Sequence, residues 1–448
     1  MVRLMLSVLA NRTYRHLLAA QVIALIGTGL ATVALGLLAF DIAGGNAGAV
    51  LGTALAIKMV AYIGVAPIVG AFADRLPRRG FLVAMDMVRA TVALCLPFVD
   101  QVWQIYILIF LLQSASAGFT PTFQATIPDV LPDEADYTRA LSLSRLAYDM
   151  ESLLSPILAA GLLTLISFHW LFAGTAVGFV CSALLVVSVR LPRSAAKPRT
   201  GGITTRTTRG LRIYLKTPRL KGLLALSLAS AAASAMVIIN TVVIVRGLLG
   251  LGQREVALTL ASYGGGSMLA ALMLPRLLDR ISDRTMMIAA AAALTVGLGA
   301  LAGLFAAGAI LWSVVLGGWF VLGIAYSMSV TPSGRLLRRS ANAEDRPALF
   351  AAQFALSHGC WLLTYPLAGQ IGARIGQAAA FGTLAVVAGA GTVAAWLLWP
   401  ARDPDVVAHR HDDLPSDHPH LREAHAVDPY GTHGFVIDDF HPHWPRPG

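Results

Sequence analysis

Twelve stretches of this chain each run for about twenty residues with few charges, the length at which a helix crosses the roughly 30 Å hydrocarbon core of a bilayer. In hydrocarbon a peptide group finds no water, so each segment must close its own hydrogen bonds, as a helix does. The runs fall near 17–40, 48–72, 80–99, 102–125, 140–166 and 170–189, then near 222–245, 255–278, 286–306, 310–332, 348–371 and 377–399. The expected fold is an all-α membrane protein, twelve transmembrane helices in two six-helix pseudo-repeats. The bundles are expected over 1–189 and 222–400, joined by a basic linker over 190–221 and followed by a tail over 401–448.

Composition agrees. Only 13% of the residues are charged and 56% are hydrophobic, whereas soluble domains carry about 25% charge, so an ordinary soluble enzyme is excluded. The net charge of +10 does not point to nucleic acid, because the 34 Lys and Arg lie between apolar runs, where basic loops are retained in the cytoplasm. Cys95, Cys181 and Cys360 lie inside apolar runs without metal-knuckle spacing and are expected to pack. The first run follows Arg3, Arg12 and Arg15, is too long for a signal-peptide core and shows no cleavage pattern, so it is expected to stay as the first span.

Basic residues set the expected orientation. The stretch 190–221 holds ten Lys and Arg and no acid, and Arg75, Arg78, Arg79, Arg280, Arg284, Arg335, Arg338 and Arg339 follow even-numbered runs. Arg246, Arg254 and Arg374 are exceptions. Both termini are therefore expected in the cytoplasm.

The halves repeat. Asp74-Arg75-Leu-Pro-Arg78-Arg79 lies 205 positions before Asp279-Arg280-Ile-Ser-Asp283-Arg284, and Gly118 lies 205 before Gly323. Two similar halves around one path are a common plan of secondary transporters. No phosphate-binding loop is present in the sequence, so no ATP engine is expected; a carrier of this kind is expected to have neither catalytic residues nor a cofactor.

The segment Gly70-Ala-Phe-Ala-Asp74-Arg75-Leu-Pro-Arg78-Arg79-Gly80 resembles the loop signature of the major facilitator superfamily, with a degenerate copy at Asp279 and Arg280. That resemblance, spanning about residues 10–400, implies the major facilitator fold, with Gly70, Asp74, Arg75, Arg78, Arg79, Asp279 and Arg280 as gate residues. Drug antiporters of the superfamily often carry an arginine in the fourth helix; here the stretch is Phe110-Leu-Leu-Gln113-Ser114. Proton coupling through that arginine is not expected.

Ionisable groups in hydrocarbon cost about 2.5–3.5 kcal/mol each on insertion scales and are functional candidates by default. Counting from the start of their runs, Asp149 and Glu151 lie roughly 14–17 Å deep and His358 about 15 Å. Lys58 sits within the second run. Asp149 and Glu151, two residues apart, point about 200° apart, and Asp149 can pair with Arg145. Glu151 with His358 is the preferred pair for binding a divalent cation, Asp149 second, with Lys58 a gating or competing cation. A structural ion pair beside a packed histidine is the alternative. Asp86 and Arg89 are expected to tie to the Asp74 and Arg75 gate, and Gln113, Tyr148, Asn240, Gln353 and Tyr365 are possible cavity donors and acceptors. Gly264-Gly265-Gly266 suggests a close helix contact.

The tail changes composition, being Pro-rich, acidic and hardly apolar, so disorder is expected. It holds His409, His411, His418, His420, His425, His433, His441 and His443 among nine acids. Imidazole favours nickel, zinc, copper and cobalt, so the tail reads as a loose metal collector or as a biased solvated segment. It resembles the nickel-resistance exporters of the superfamily, notably at Asp417-His418-Pro419-His420-Leu421. The resemblance implies export of a divalent cation; the expected protein is a monomeric exporter of Ni²⁺, or else Co²⁺ or Zn²⁺, in a bacterial inner membrane, with a proton exchanging at the same carboxylates. Lipid and the metal ion are the expected partners, without nucleic acid. The alternatives are an exporter of organic molecules such as drugs or siderophores, and a membrane metal sensor that carries nothing.

Overall fold

The apolar runs become helices whose ends are set by local polar chemistry. Asn11 accepts a hydrogen bond from the Tyr14 backbone at 3.1 Å, and Asp133 accepts one from that of Asp136 at 2.9 Å, each satisfying an amide that the first helical turn leaves open. Gly376, at φ 115, makes the reversal between the last two long helices, a backbone that favours glycine.

The structure, a computed structural model, describes residues 7–72, 77–191, 203–278, 280–342, 345–403, 406–410, 430–438, 441 and 444. The first bundle comprises α1 (Arg12–Ala43), α2 (Ala47–Phe72), α3 (Arg78–Cys95), α4 (Val102–Val130), α5 (Glu134–Leu162) and α6 (His169–Val187). The second comprises α7 (Pro218–Val242), α8 (Gln253–Leu278), α9 (Asp283–Ala306), α10 (Trp312–Val330), α11 (Arg346–Arg374) and α12 (Gln377–Leu398). Among the described residues nine apolar stretches are long enough to cross a bilayer, the first covering both α1 and most of α2. Among the described residues α5 and α11, equivalent helices of the two halves, contain none.

Within the halves α1 packs on α6, α2 on α4, α7 on α12 and α8 on α10; across them α2 packs on α11 and α5 on α8. A Cβ on Gly52 would lie 2.6 Å from the Tyr365 carbonyl oxygen, and one on Gly369 would strike the Gly48 carbonyl. Small residues thus bring the α2 and α11 backbones together. The glycine run of α8 does the same inside its half, where Gly266 meets the Phe320 carbonyl.

On the face opposite the termini, Arg246 sits in a widened helical turn, Val243–Leu248, and pairs with Asp41 at 2.6 Å over the Phe40 ring. The two halves are tied there.

Two expectations change. The linker contains an amphipathic helix, Ile203–Lys216, and α7 already begins at Pro218 rather than 222. Gly210 of that helix abuts the Ala348 carbonyl, Arg209 pairs with Asp345, and the Tyr214 hydroxyl donates to Gln353 Oε1. Burial pushes the Tyr214 phenol above its ordinary range, so it stays a neutral donor.

The tail, expected to be disordered, has structure in its described parts. Strands β1 (Val406–Arg410) and β2 (Tyr430–Gly434) pair antiparallel, with His409 opposite Gly431. Beyond them Phe435 and Ile437 are buried in the core, and Trp444 lies over the Arg219 guanidinium at 5.1 Å. Arg219, itself buried, donates to Ser340 Oγ and the Arg339 carbonyl and pairs with Asp403. A few aromatic and aliphatic residues anchor a segment whose average composition is too polar to suggest it.

Candidate functional site

Three of the intramembrane candidates come together at the seam between the halves. Lys58 and Tyr62 are one turn apart on α2, with the ammonium nitrogen 6.0 Å from the Tyr62 ring centroid. From α11, His358 stacks on Tyr62 at 5.6 Å and 21°, and lies 3.9 Å from the Phe354 ring. His358 Nδ1 is 2.7 Å from the Phe354 carbonyl oxygen. A carbonyl oxygen can only accept, so Nδ1 carries the proton in that contact.

Glu151 reaches the same region from α5. Its Oε1 is 3.2 Å from where a Cβ on Gly29 would stand, and Ser155 fills the rest of that notch. Only a glycine on α1 leaves this space. The charges of Lys58 and Glu151 attract one another, and the field of Lys58 also reaches His358, without a direct ion pair among the three. All three are half-buried. Among the described residues a cation, a carboxylate and an imidazole therefore lie within one another's field inside the membrane, where ionisable groups are functional candidates.

Asp149, with Arg145 and Tyr148, lies on α5, but these side chains fall outside the described residues. The same is true of Gly70 on α2, and Asp74, Arg75 and Asp279 lie outside the described residues altogether. Asp41, at the far end of α1, pairs with Arg246. Gln353 serves the linker helix, and Asn240 donates to the Ala368 carbonyl at 3.0 Å in the seam.

The gate arginines are built into the first bundle. Arg78 pairs with Asp129 at the end of α4, and Arg79 donates to the Val187 carbonyl at the end of α6. Asp86 accepts from Arg89 and from Ser182, and the Arg89 guanidinium lies over Phe119 and Phe179 at 4.2 and 4.5 Å. Arg280 is exposed in the turn after α8. In the second half Asp283 pairs with Arg335 at 3.7 Å, and Arg284 donates to the Trp399 carbonyl at 2.8 Å.

Sequence reasoning missed most of the aromatic wall. Besides Tyr62 and Phe354, Trp361 stacks against Tyr365 at 4.9 Å, and Tyr263 against Tyr326 at 5.8 Å. In apolar runs an aromatic facing inward looks like one facing lipid; the available signal was the i,i+4 spacing of 354, 358 and of 361, 365 on one helix.

Among the described residues no group of three or more His, Cys, Asp and Glu could hold a metal. In the tail, His409 and His433 lie in strands whose side chains are outside the described residues, and His411, His418, His420, His425 and His443 are outside altogether. His441 is buried, bonded to Asp438 at 2.8 Å and packed edge-on against Phe435. It serves as a packing residue of the docked tail.

The sequence profile of the Major Facilitator Superfamily matches residues 17–252 and 224–427. An uncharacterised transporter of this type, YfiS of Bacillus subtilis (strain 168), is 28% identical over 129 residues, 29% of this chain and 30% of its own length. Macrolide efflux protein A of Streptococcus pyogenes is 25% identical over 153 residues, 32% of this chain and 38% of its own length. The chain thus matches well under half the length of these relatives. In architecture it is similar to the crystal structure of the nucleoside transporter NupG, with a TM-score of 0.63 at 14% identity, covering 86% of this chain and 98% of the other.

Proposed function

The chain belongs to the major facilitator superfamily, and from that premise we propose that it exports an amphipathic organic molecule in exchange for protons. The observation that carries this reading is an aromatic cluster at the charged groups of the seam: Tyr62, Phe354 and His358 beside Lys58, whose field also meets Glu151, with Trp361 and Tyr365 further along α11. Aromatic faces bind flat or greasy solutes and attract cations, and a carboxylate facing an ammonium can take a proton and release its partner. A proton on Glu151 removes the negative charge that Lys58 feels, and a solute at the aromatic cluster then meets a differently charged site. The arrangement is set in a bacterial inner membrane with cytoplasmic termini, and the pair of Arg246 and Asp41 closes the outer face. The efflux relative agrees with this direction of transport.

Divalent metal export, the reading suggested by the tail, finds no support in this geometry. Glu151 and His358 share their environment with a cation, which opposes a second one, and the described tail histidine is spent on packing.

The test is transport in inside-out vesicles with an imposed pH gradient, using a macrolide, a lipophilic dye and radioactive nickel in parallel. Gradient-driven uptake of an organic solute, lost in Glu151→Gln, is expected. Nickel uptake in the absence of organic uptake overturns the reading.

A further inference from the structure

Away from the seam, the linker helix Ile203–Lys216 leaves an apolar groove between itself, α7, α11 and α12. The groove holds about 630 Å³, within the roughly 300–1,000 Å³ of small-molecule sites. Its walls are Leu215 of the linker helix, Leu224 and Leu228 of α7, and Leu356 and Leu363 of α11, with Lys221 at the rim. Leu215 is 43% and Leu363 51% exposed, so the groove opens on the outer surface of the bundle, where bilayer lipid lies.

Charge is graded along it. Lys221 stands one turn inside α7, at the membrane face that bears the termini, while Leu228 lies about 10 Å deeper at 1.5 Å per residue. Arg212 is exposed one turn before Leu215 on the linker helix. Arg209 and Arg219 are committed to Asp345 and Asp403, whereas Arg212 and Lys221 form no ion pair among the described residues. The stretch 203–221 contains no acid. A mouth whose positive charges find no ion-pair partner among the described residues, above an apolar slot, is complementary to one kind of molecule in a membrane: an anionic head on a hydrocarbon chain.

We propose that this groove is a binding site for an anionic phospholipid, its acyl chain between α7 and α11 and its phosphate at Lys221 with Arg212. The lipid lies directly behind the functional seam, because Leu356 and Gly359 line the groove on either side of His358, which faces Tyr62. An occupied groove supports α11 where it carries the imidazole. The proposal is independent of the solute transported.

Native mass spectrometry of the full chain in detergent, with phosphatidylglycerol or phosphatidylcholine added, tests it. Retention of phosphatidylglycerol is expected to exceed that of phosphatidylcholine several-fold, and Lys221→Gln to lower it roughly fivefold, the effect of one basic residue near a membrane surface. Leu228→Trp, which fills the slot, is expected to lower retention of both lipids. The comparison of headgroups on the unmodified chain needs no variant to fold. Equal retention of the two lipids, or a preference unchanged by Lys221→Gln in a variant that unfolds at the same temperature as the unmodified chain, overturns the proposal.

Discussion

The two halves place the same tasks at equivalent positions with different chemistry. Under the offset of 205 residues, Arg78 of α3 corresponds to Asp283 of α9, and each pairs with an opposite charge beside the end of the fourth helix of its half, Asp129 in one and Arg335 in the other. The contact is retained with its polarity reversed. Arg79 and Arg284 correspond as well, and both cap carbonyls at the end of the last helix of their bundle, where the helix dipole favours a cation. Inside the membrane the halves diverge: Lys58 corresponds to Tyr263, and Glu151 to Leu356. The first half supplies the cation and the carboxylate; at the matching positions the second supplies a phenol and a leucine, and its imidazole, His358, stands elsewhere on α11. What the repeat preserves is the position of a contact, and the residues filling it are free to divide the labour.

The sharpest way to break this contrast is to move the charge. Glu151→Gln is expected to reduce gradient-driven transport to background, whereas Tyr263→Phe leaves coupling intact and alters only apparent affinity; the reverse result would place the coupling in the second half. Next in size is the seam. Gly52→Val presses a side chain into the Tyr365 carbonyl, and overpacking costs about 1–3 kcal/mol, to be seen as a lower unfolding temperature and lost transport. The reversed ion pairs allow a direct exchange. Arg78→Asp is expected to destabilise the first bundle, and adding Asp129→Arg, which gives it the polarity of the second, to recover about 0.5–3 kcal/mol in a double-mutant cycle. Trp444→Ala removes the ring over Arg219 and should cost about 0.5–2 kcal/mol, read as faster proteolysis of the tail with unchanged transport of the organic solute. Smallest is Arg246→Gln on the face opposite the termini, a partly exposed pair worth about 0.2–1 kcal/mol, whose effect should shrink as salt rises.

Much of this architecture was legible from the chain. The number of helices, the two halves and the offset of 205 follow from apolar runs and one repeated charged turn, because a bilayer enforces length and helicity directly. Lys58, Glu151 and His358 could be named as candidates, since an ionisable residue in an apolar run is conspicuous. That they share one environment, and that His358 spends its Nδ1 on Phe354, could not be read, because pairing across helices depends on rotation about each helix axis. The aromatic wall was hidden for a related reason: Tyr62, Phe354 and Trp361 are ordinary members of apolar runs. The tail misled in the opposite way, where eight histidines drew attention while Phe435, Ile437 and Trp444 supplied the docking.

What the sequence alone determined is how many times the chain crosses the membrane and which half repeats which, because hydrocarbon punishes every unbonded peptide group regardless of neighbours. Only the tertiary structure decided which face of each helix looks inward, and so which polar groups meet. That choice is made by side-chain contacts such as Gly52 against the Tyr365 backbone and Gly29 beneath Glu151, between residues far apart in the chain.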